Sequence, residues 1–150
     1  VFKRFGFGER CTAILLSQIH PFEAFLEDGQ PIVKIRKGRY SGKPTKRYLS
    51  QRRFLKMIGC APNEESSGDK KSKKVKGGST LCRIALWQWT YTRLEVQKTR
   101  LKGDIGDTLS AYLQDQKSRG VPIRLARSRT VCKAGKLLWA ELLKEYQKQA

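Results

Sequence analysis

The residues best suited to chemistry are two hydroxyls, Ser66 and Ser67, followed by Gly68 and then by Lys70, Lys71, Lys73, Lys74 and Lys76. A phosphodiester arriving there would meet a nucleophile and cations able to offset charge on its phosphoryl oxygens. A hydroxyl attacks only once a base or a metal has taken its proton, and nothing nearby in the chain supplies one. Glu64 and Glu65 stand just before the serines without any partner. Ser-Ser-Gly is also ordinary loop composition, so the residues alone leave a nucleophile and a plain loop both open.

Acid–base and metal chemistry find little else to use. Asp104 and Asp107 are a closely spaced acid pair on a loop, and they read as helix-capping residues rather than half of a two-metal carboxylate site. No metal ligand is assigned and no cofactor is expected in this chain. The single histidine, His20, precedes Pro21 and reads as a helix-end residue. Cys11, Cys60, Cys82 and Cys132 lack any short paired spacing, so they read as reduced, mostly buried thiols in a cytosolic or nucleoid setting rather than zinc ligands.

Charge is the strongest signal. Lys and Arg number 32 against 13 Asp and Glu, a formal net charge of +19. Lys34, Arg36, Lys37, Arg39, Lys43, Lys46, Arg47, Arg52, Arg53 and Lys56 fall in one stretch, with no acid between Asp28 and Glu64. A solvated face mixes signs, whereas phosphate neutralisation with counterion release rewards a single sign. Tyr40 and Tyr48, set among these cations, are candidates to stack on bases or to edge the core. Gly6 and Gly8 frame a turn before a helix. Such a turn can bring backbone N–H groups against a phosphate, as in a helix-hairpin-helix element, or can simply lead into the helix.

These residues need elements to hold them. Apolar spacing predicts helices over Glu9–Ile19, over a short turn at Phe22–Leu26 after Pro21, and over Tyr48–Ile58 with Gly59 as C-cap. A long helix is predicted from the N-cap Ser79 to near Gly103, with Leu81, Ile84, Ala85, Trp87 and Trp89 inside. Another runs from Asp107 to about Lys117, and a last one starts at Pro122 with Leu125, Val131, Leu137, Leu138, Leu142 and Tyr146 inward. Ile32, Val33 and Ile35 predict at most a small β-hairpin within Ile32–Tyr40, and Asn63–Gly78 reads as a mobile loop. The fold class is therefore mainly α, in one domain over residues 1–150. No apolar stretch approaches the ~20 residues a membrane span needs. The opening residues lack a secretory pattern, and the chain reads as a fragment.

Four segments in order resemble the C-terminal domain of the transposases of insertion-sequence family 110/116/902, which includes the Piv-type DEDD recombinases. Phe5-Gly6-Phe7-Gly8 with Thr12–Leu16 is similar to that family's glycine hairpin and first helix. Phe54–Pro62 is similar to its Leu-Gly-Leu-x-Pro helix end. Ser66-Ser67-Gly68, Lys76-Gly77-Gly78 and Leu81–Leu86 resemble its Ser-Gly, Lys-x-Gly and Leu-Arg-x-Leu order. Tyr112-Leu113, Arg119–Pro122 and Leu137–Trp139 resemble its closing helices.

The resemblance implies a helix-hairpin-helix-containing C-terminal domain that lends a serine nucleophile to a DNA recombinase. The nucleophile falls on Ser67, the serine before Gly68, with Ser66 the near alternative. Lys70, Lys71 and Arg83 would steady charge on the phosphate. An N-terminal RuvC-like domain, absent here, would hold Mg²⁺ on four acids. DNA is then a partner, joined by a guide (bridge) RNA and by further copies of the full-length protein, in a prokaryotic cytoplasm near the nucleoid, with no membrane. The isolated domain would be inactive. A basic insertion at about 27–50 departs from the family's usual link. A rival reading needs no catalysis: a basic structural protein of a ribonucleoprotein or of chromatin.

Overall fold

The computed structural model of the chain describes residues 1–38, 42–61, 63–67, 70–74 and 77–149, with 63–67 and 70–74 described by their backbone alone. Five α-helices carry the core of the described residues: α1 (Glu9–Ile19), α2 (Leu49–Met57), α3 (Thr80–Thr90), α4 (Asp104–Ser118) and α5 (Ile123–Gln149). Three two-stranded antiparallel hairpins punctuate them: β1 (Leu26–Glu27) with β2 (Gln30–Pro31), β3 (Val33–Lys37) with β4 (Pro44–Tyr48), and β5 (Asn63–Ser67) with β6 (Lys70–Lys74). The protein is mainly helical, as its periodicity predicts.

The long helix α5 is the spine, with α2, α3 and α4 packed against it. Ala126, Thr130, Ala134 and Leu138 recur every fourth residue on its buried face, joined by Val131 and Trp139. At Gly135 a Cβ would lie 2.9 Å from Leu55 Cδ2 and 3.0 Å from Ile58 Cδ1, so glycine there is what lets α2 cross this closely. Phe54 and Trp139 pack with ring centroids 5.4 Å apart, and Phe22 and Phe25, from the 3-10 turn Phe22–Phe25, close around them. A second aromatic knot joins Phe5, Phe7 and Trp89, whose indole Nε1 donates to the Phe5 carbonyl at 2.8 Å. Of these, the buried Phe5, Phe7, Phe25, Phe54, Trp89 and Trp139 each contribute roughly 1.5–3 kcal/mol by area, and the half-buried Phe22 less.

Local chemistry explains the boundaries. Gly59, at φ 80°, ends α2. Its N–H bonds the Lys56 carbonyl (3.0 Å), and the Cys60 N–H bonds the Leu55 carbonyl (2.7 Å), which satisfies two orphan acceptors in a Schellman arrangement. Ser79 caps α3 by accepting the Cys82 N–H at 3.2 Å.

Several expectations need correction. The third helix stops at Thr90 rather than near Gly103, because the wider π-turn Tyr91–Glu95 drops Leu94 into the core at 0% exposure. The freed Leu94 carbonyl accepts from Ser110 Oγ (3.3 Å) and Arg100 Nε (3.2 Å). Within α3 only Cys82, Leu86, Trp89 and Thr90 are buried, whereas Leu81, Ile84 and Trp87 face outward. The fourth helix starts at Asp104 after Gly103, so Asp107 sits inside its first turn and its N–H bonds the Gly103 carbonyl at 2.8 Å. On α5, Leu125 is exposed rather than inward.

The β content also exceeds the single hairpin expected. β3 pairs with a strand that lies beyond Tyr40, at Pro44–Tyr48. Residues 63–74, expected as a loop, contain paired strands, with Glu64 opposite Lys73 and Ser67 opposite Lys70. An apolar-periodicity argument is blind to a hairpin whose strands hold no apolar residue.

Candidate nucleic-acid interface

Both strands of the β3–β4 hairpin are exposed throughout, and the cations Lys34, Arg36, Lys37, Lys43, Lys46 and Arg47 all face solvent. Directly opposite residues share a face. One face therefore presents Lys34 with Arg47 and Arg36 with Thr45, and the other Val33 with Tyr48 and Ile35 with Lys46. Lys34 against Arg47 is a like-charge cross-strand pair, which costs the fold rather than stabilising it. The hairpin is nonetheless anchored: the Leu49 N–H bonds the Ile32 carbonyl (2.9 Å), and Ser50 Oγ accepts the Ile32 N–H (2.8 Å). The chain turns straight into α2, whose outer face adds Arg52, Arg53 and Lys56. The predicted basic stretch is thus one continuous surface of a projecting ribbon and an adjoining helix. Arg39 and Tyr40 lie outside the described residues.

Ser66 and Ser67 end strand β5, and two residues, Gly68 and Asp69, link them to Lys70 and Lys71 on β6. The hairpin springs from the junction of α2 and α3. Its base is fixed where the Ser79 N–H bonds the Met57 carbonyl at 3.1 Å. The side chains of Ser66, Ser67, Lys70, Lys71, Lys73 and Lys74 lie outside the described residues, as does Lys76.

The Gly6–Gly8 turn is reached from one 3-10 turn, Phe2–Phe5, rather than from a first α-helix. Gly6 is left-handed (φ 61°), and a Cβ there would meet Leu101 Cδ1 at 2.8 Å, so this glycine serves packing. Gly8 is extended (φ −70°, ψ 169°) at the N-cap of α1, with open space where a Cβ would go. An open groove of about 860 Å³ runs from this turn past Arg10 and Arg93 to the outward face of α3 at Leu81, Ile84 and Trp87.

A second cavity, of about 700 Å³, opens where α3 and α5 diverge. The charge scan of the sequence missed it because its cations are dispersed. Arg129, Lys133 and Lys136 recur at helical spacing on α5 and converge with Arg83 from α3. The i, i+4, i+7 spacing of three cations on one helix was the available signal. Its floor carries Cys60 and Cys132, both free thiols. Cys60, hydrogen-bonded to Cys132 and buried, is pushed above the ordinary thiol range. Cys132 is drawn down to about 7 by the hydrogen bond from Cys60, against its own burial, with Lys136 adding to the effect.

Among the described residues no group of three or more His, Cys, Asp or Glu side chains could hold a metal ion. None of the described helices is long and apolar enough to cross a membrane.

No curated protein and no solved structure matches the chain. A family model does match, over residues 40–103, rather less than half of the sequence. The matched part holds α2, the β5–β6 hairpin and α3, and so includes the Phe54–Pro62 and Ser66–Leu86 segments, while the Gly6–Gly8 turn and the closing helices fall outside it. Over that central part the chain is similar to the transposase family IS116/IS110/IS902.

Proposed function

We propose that this chain is a nucleic-acid-handling domain of a DNA transposase and that it supplies Ser67 as the nucleophile, with Ser66 the adjacent alternative. The observation that carries this reading is the family match over residues 40–103, which contains both serines and the acid-free α2 surface beside them. The exposed cations of β3–β4 support a polyanionic partner, and a two-stranded ribbon has the dimensions of a major-groove reader. On this reading DNA is the substrate, a guide RNA and further copies of the full-length protein are partners, and the setting is the prokaryotic cytoplasm at the nucleoid.

In the proposed step Ser67 Oγ forms a bond to the scissile phosphorus, and the bond to the leaving sugar oxygen breaks. The serine proton is lost and the leaving oxygen gains one. The phosphoserine linkage keeps the phosphodiester's energy for rejoining. The described residues do not fit Mg²⁺, because they bring no carboxylate cluster together, and no step here runs through the ion. Its ligands would belong to a RuvC-like domain outside this chain. The same lack of a carboxylate cluster favours, as a second reading, a non-catalytic structural protein of a ribonucleoprotein or chromatin.

The test uses the full-length protein and a DNA substrate. Ser67→Ala is expected to abolish the detergent-resistant protein–DNA adduct while leaving binding within about twofold, and the 150-residue chain alone is expected to cleave nothing. Loss of the adduct in Ser66→Ala alone moves the nucleophile by one residue. Normal recombination by both variants would leave the second reading standing.

A further inference from the structure

The cavity between α3 and α5 has walls of two kinds. One is cationic, with Arg83, Arg129, Lys133 and Lys136 and no carboxylate among its lining residues. The other is aromatic, with Trp87 and Tyr112. Arg129 is committed, donating from Nη1 to Gln116 Oε1 at 2.8 Å. Arg83 donates from Nη2 to Thr80 Oγ1 at 3.1 Å, but its Nη1 is buried without a partner among the described residues. A buried guanidinium N–H left without an acceptor is a standing cost that a bound acceptor removes. The Lys133 ammonium stands 4.1 Å from the Tyr112 ring centroid, and none of the described carboxylates pairs with Arg83, Lys133 or Lys136. A double helix is far too wide for this space, whereas pockets of about 300–1,000 Å³ suit small ligands. Cations beside aromatic rings are the combination that binds phosphate and base together; Trp87 is 37% exposed, with the Arg127 guanidinium 4.9 Å from its ring centroid on one side.

We propose that this cavity receives one unpaired nucleotide of a nucleic-acid strand, with its base against the Trp87 and Tyr112 wall and its phosphate on Arg83, Lys133 and Lys136. This deepens the functional reading above and rests on it. The paired region of the same nucleic acid would lie on the β3–β4 ribbon, while an extrahelical or single-stranded nucleotide enters between the helices. The cavity floor adjoins Gly59 and Cys60, where α2 hands over to the serine-bearing hairpin. A strand held there would be tethered within a few residues of that hairpin's base.

Cys132 makes the proposal measurable, since it lines this cavity while Cys11 lines the separate groove under the Gly6–Gly8 turn, and both are half-buried thiols. Iodoacetamide labelling of each is followed by peptide mass spectrometry with and without an eight-residue oligothymidylate, a blunt duplex or polyglutamate. Binding of each probe is followed in parallel by fluorescence anisotropy. The oligothymidylate is expected to slow Cys132 labelling at least fivefold and to leave Cys11 within twofold. Lys136→Ala, on the exposed rim, is expected to raise the half-protecting concentration about tenfold with duplex binding within about twofold, and Arg83→Met, which keeps the aliphatic stem, to raise the half-protecting concentration by a similar factor. Equal protection by duplex or polyglutamate overturns the proposal, as does oligothymidylate binding without protection of Cys132. If neither nucleic acid binds at all, the functional reading falls and the pocket with it.

Discussion

A Cβ on Gly78 would lie 1.5 Å from the carbonyl oxygen of Lys56, so the start of α3 passes the last turn of α2 with no room for any side chain. Gly78 also sits at φ 81°, a conformation costly for other residues. Gly78→Ala is therefore expected to destabilise the fold by about 3 kcal/mol or more, through strain and a backbone clash together. Gly120→Ala is the control. It has a similar φ of 72° but open space, and should cost only about 1 kcal/mol. Urea unfolding midpoints compare the two, and equal losses would show that the helix junction can relax.

Salt dependence tests the ribbon. If Lys34, Arg36 and Arg47 meet phosphates of a duplex, log affinity falls linearly with log salt, by about 0.9 per contact. The triple change to Gln is expected to flatten that slope by about 2–3 without lowering the melting temperature, because these side chains are exposed. An unchanged slope would place the contacts elsewhere.

The Trp89–Phe5 hydrogen bond ties α3 to the turn before α1. Trp89→Phe leaves the Phe5 carbonyl buried without its donor and opens a cavity, an expected loss of about 2–4 kcal/mol. Trp87→Phe, at 37% exposure, should cost under about 1 kcal/mol. Thermal unfolding of both variants checks the contrast.

Glu95 joins α4 to α5. It accepts from Arg127 Nε at 2.7 Å and pairs with Lys117. Burial pushes its carboxyl up, but the hydrogen bonds and charges of Arg127 and Lys117 outweigh this and hold it below the ordinary carboxylate value. A depressed pKa means that its contribution is present above the unfolded-state value and is lost as pH falls through the folded one. Glu95→Gln is expected to be less stable by about 1–3 kcal/mol at neutral pH, with the gap closing below about pH 4. A gap that widened in acid would contradict this assignment.

Much of this was legible in the sequence, and the failures share a cause. α1, α2 and α5 each bury one face, so apolar spacing gives their extent, although Leu16 on α1 and Leu125 on α5 fall outside the buried face; even Gly59 as the stop of α2 follows from residue type. α3 misled because Leu81, Ile84 and Trp87 on its outside mimic a core stripe. The π-turn after Thr90 was hidden, since the advantage of burying Leu94 depends on α4 and not on neighbours in the chain. The basic character of residues 34–56 could be read from charge alone, but not the strand beyond Tyr40 that makes part of it a ribbon. The second cavity could not, because its cations come from two helices 46 residues apart at Arg83 and Arg129 and meet only in the fold.

Strands β3 and β4 contribute no side chain to the core among the described residues and are held at their base by main-chain bonds and Ser50. If the proposed function holds, their contact residues are uncoupled from folding stability. Selection could then rewrite them for a new partner without compensating changes inside, and an engineer could exchange the ribbon between Ile32 and Leu49 as a cassette. Adaptability of target choice would then be a property of this one appendage, while the helices beneath it stay constant.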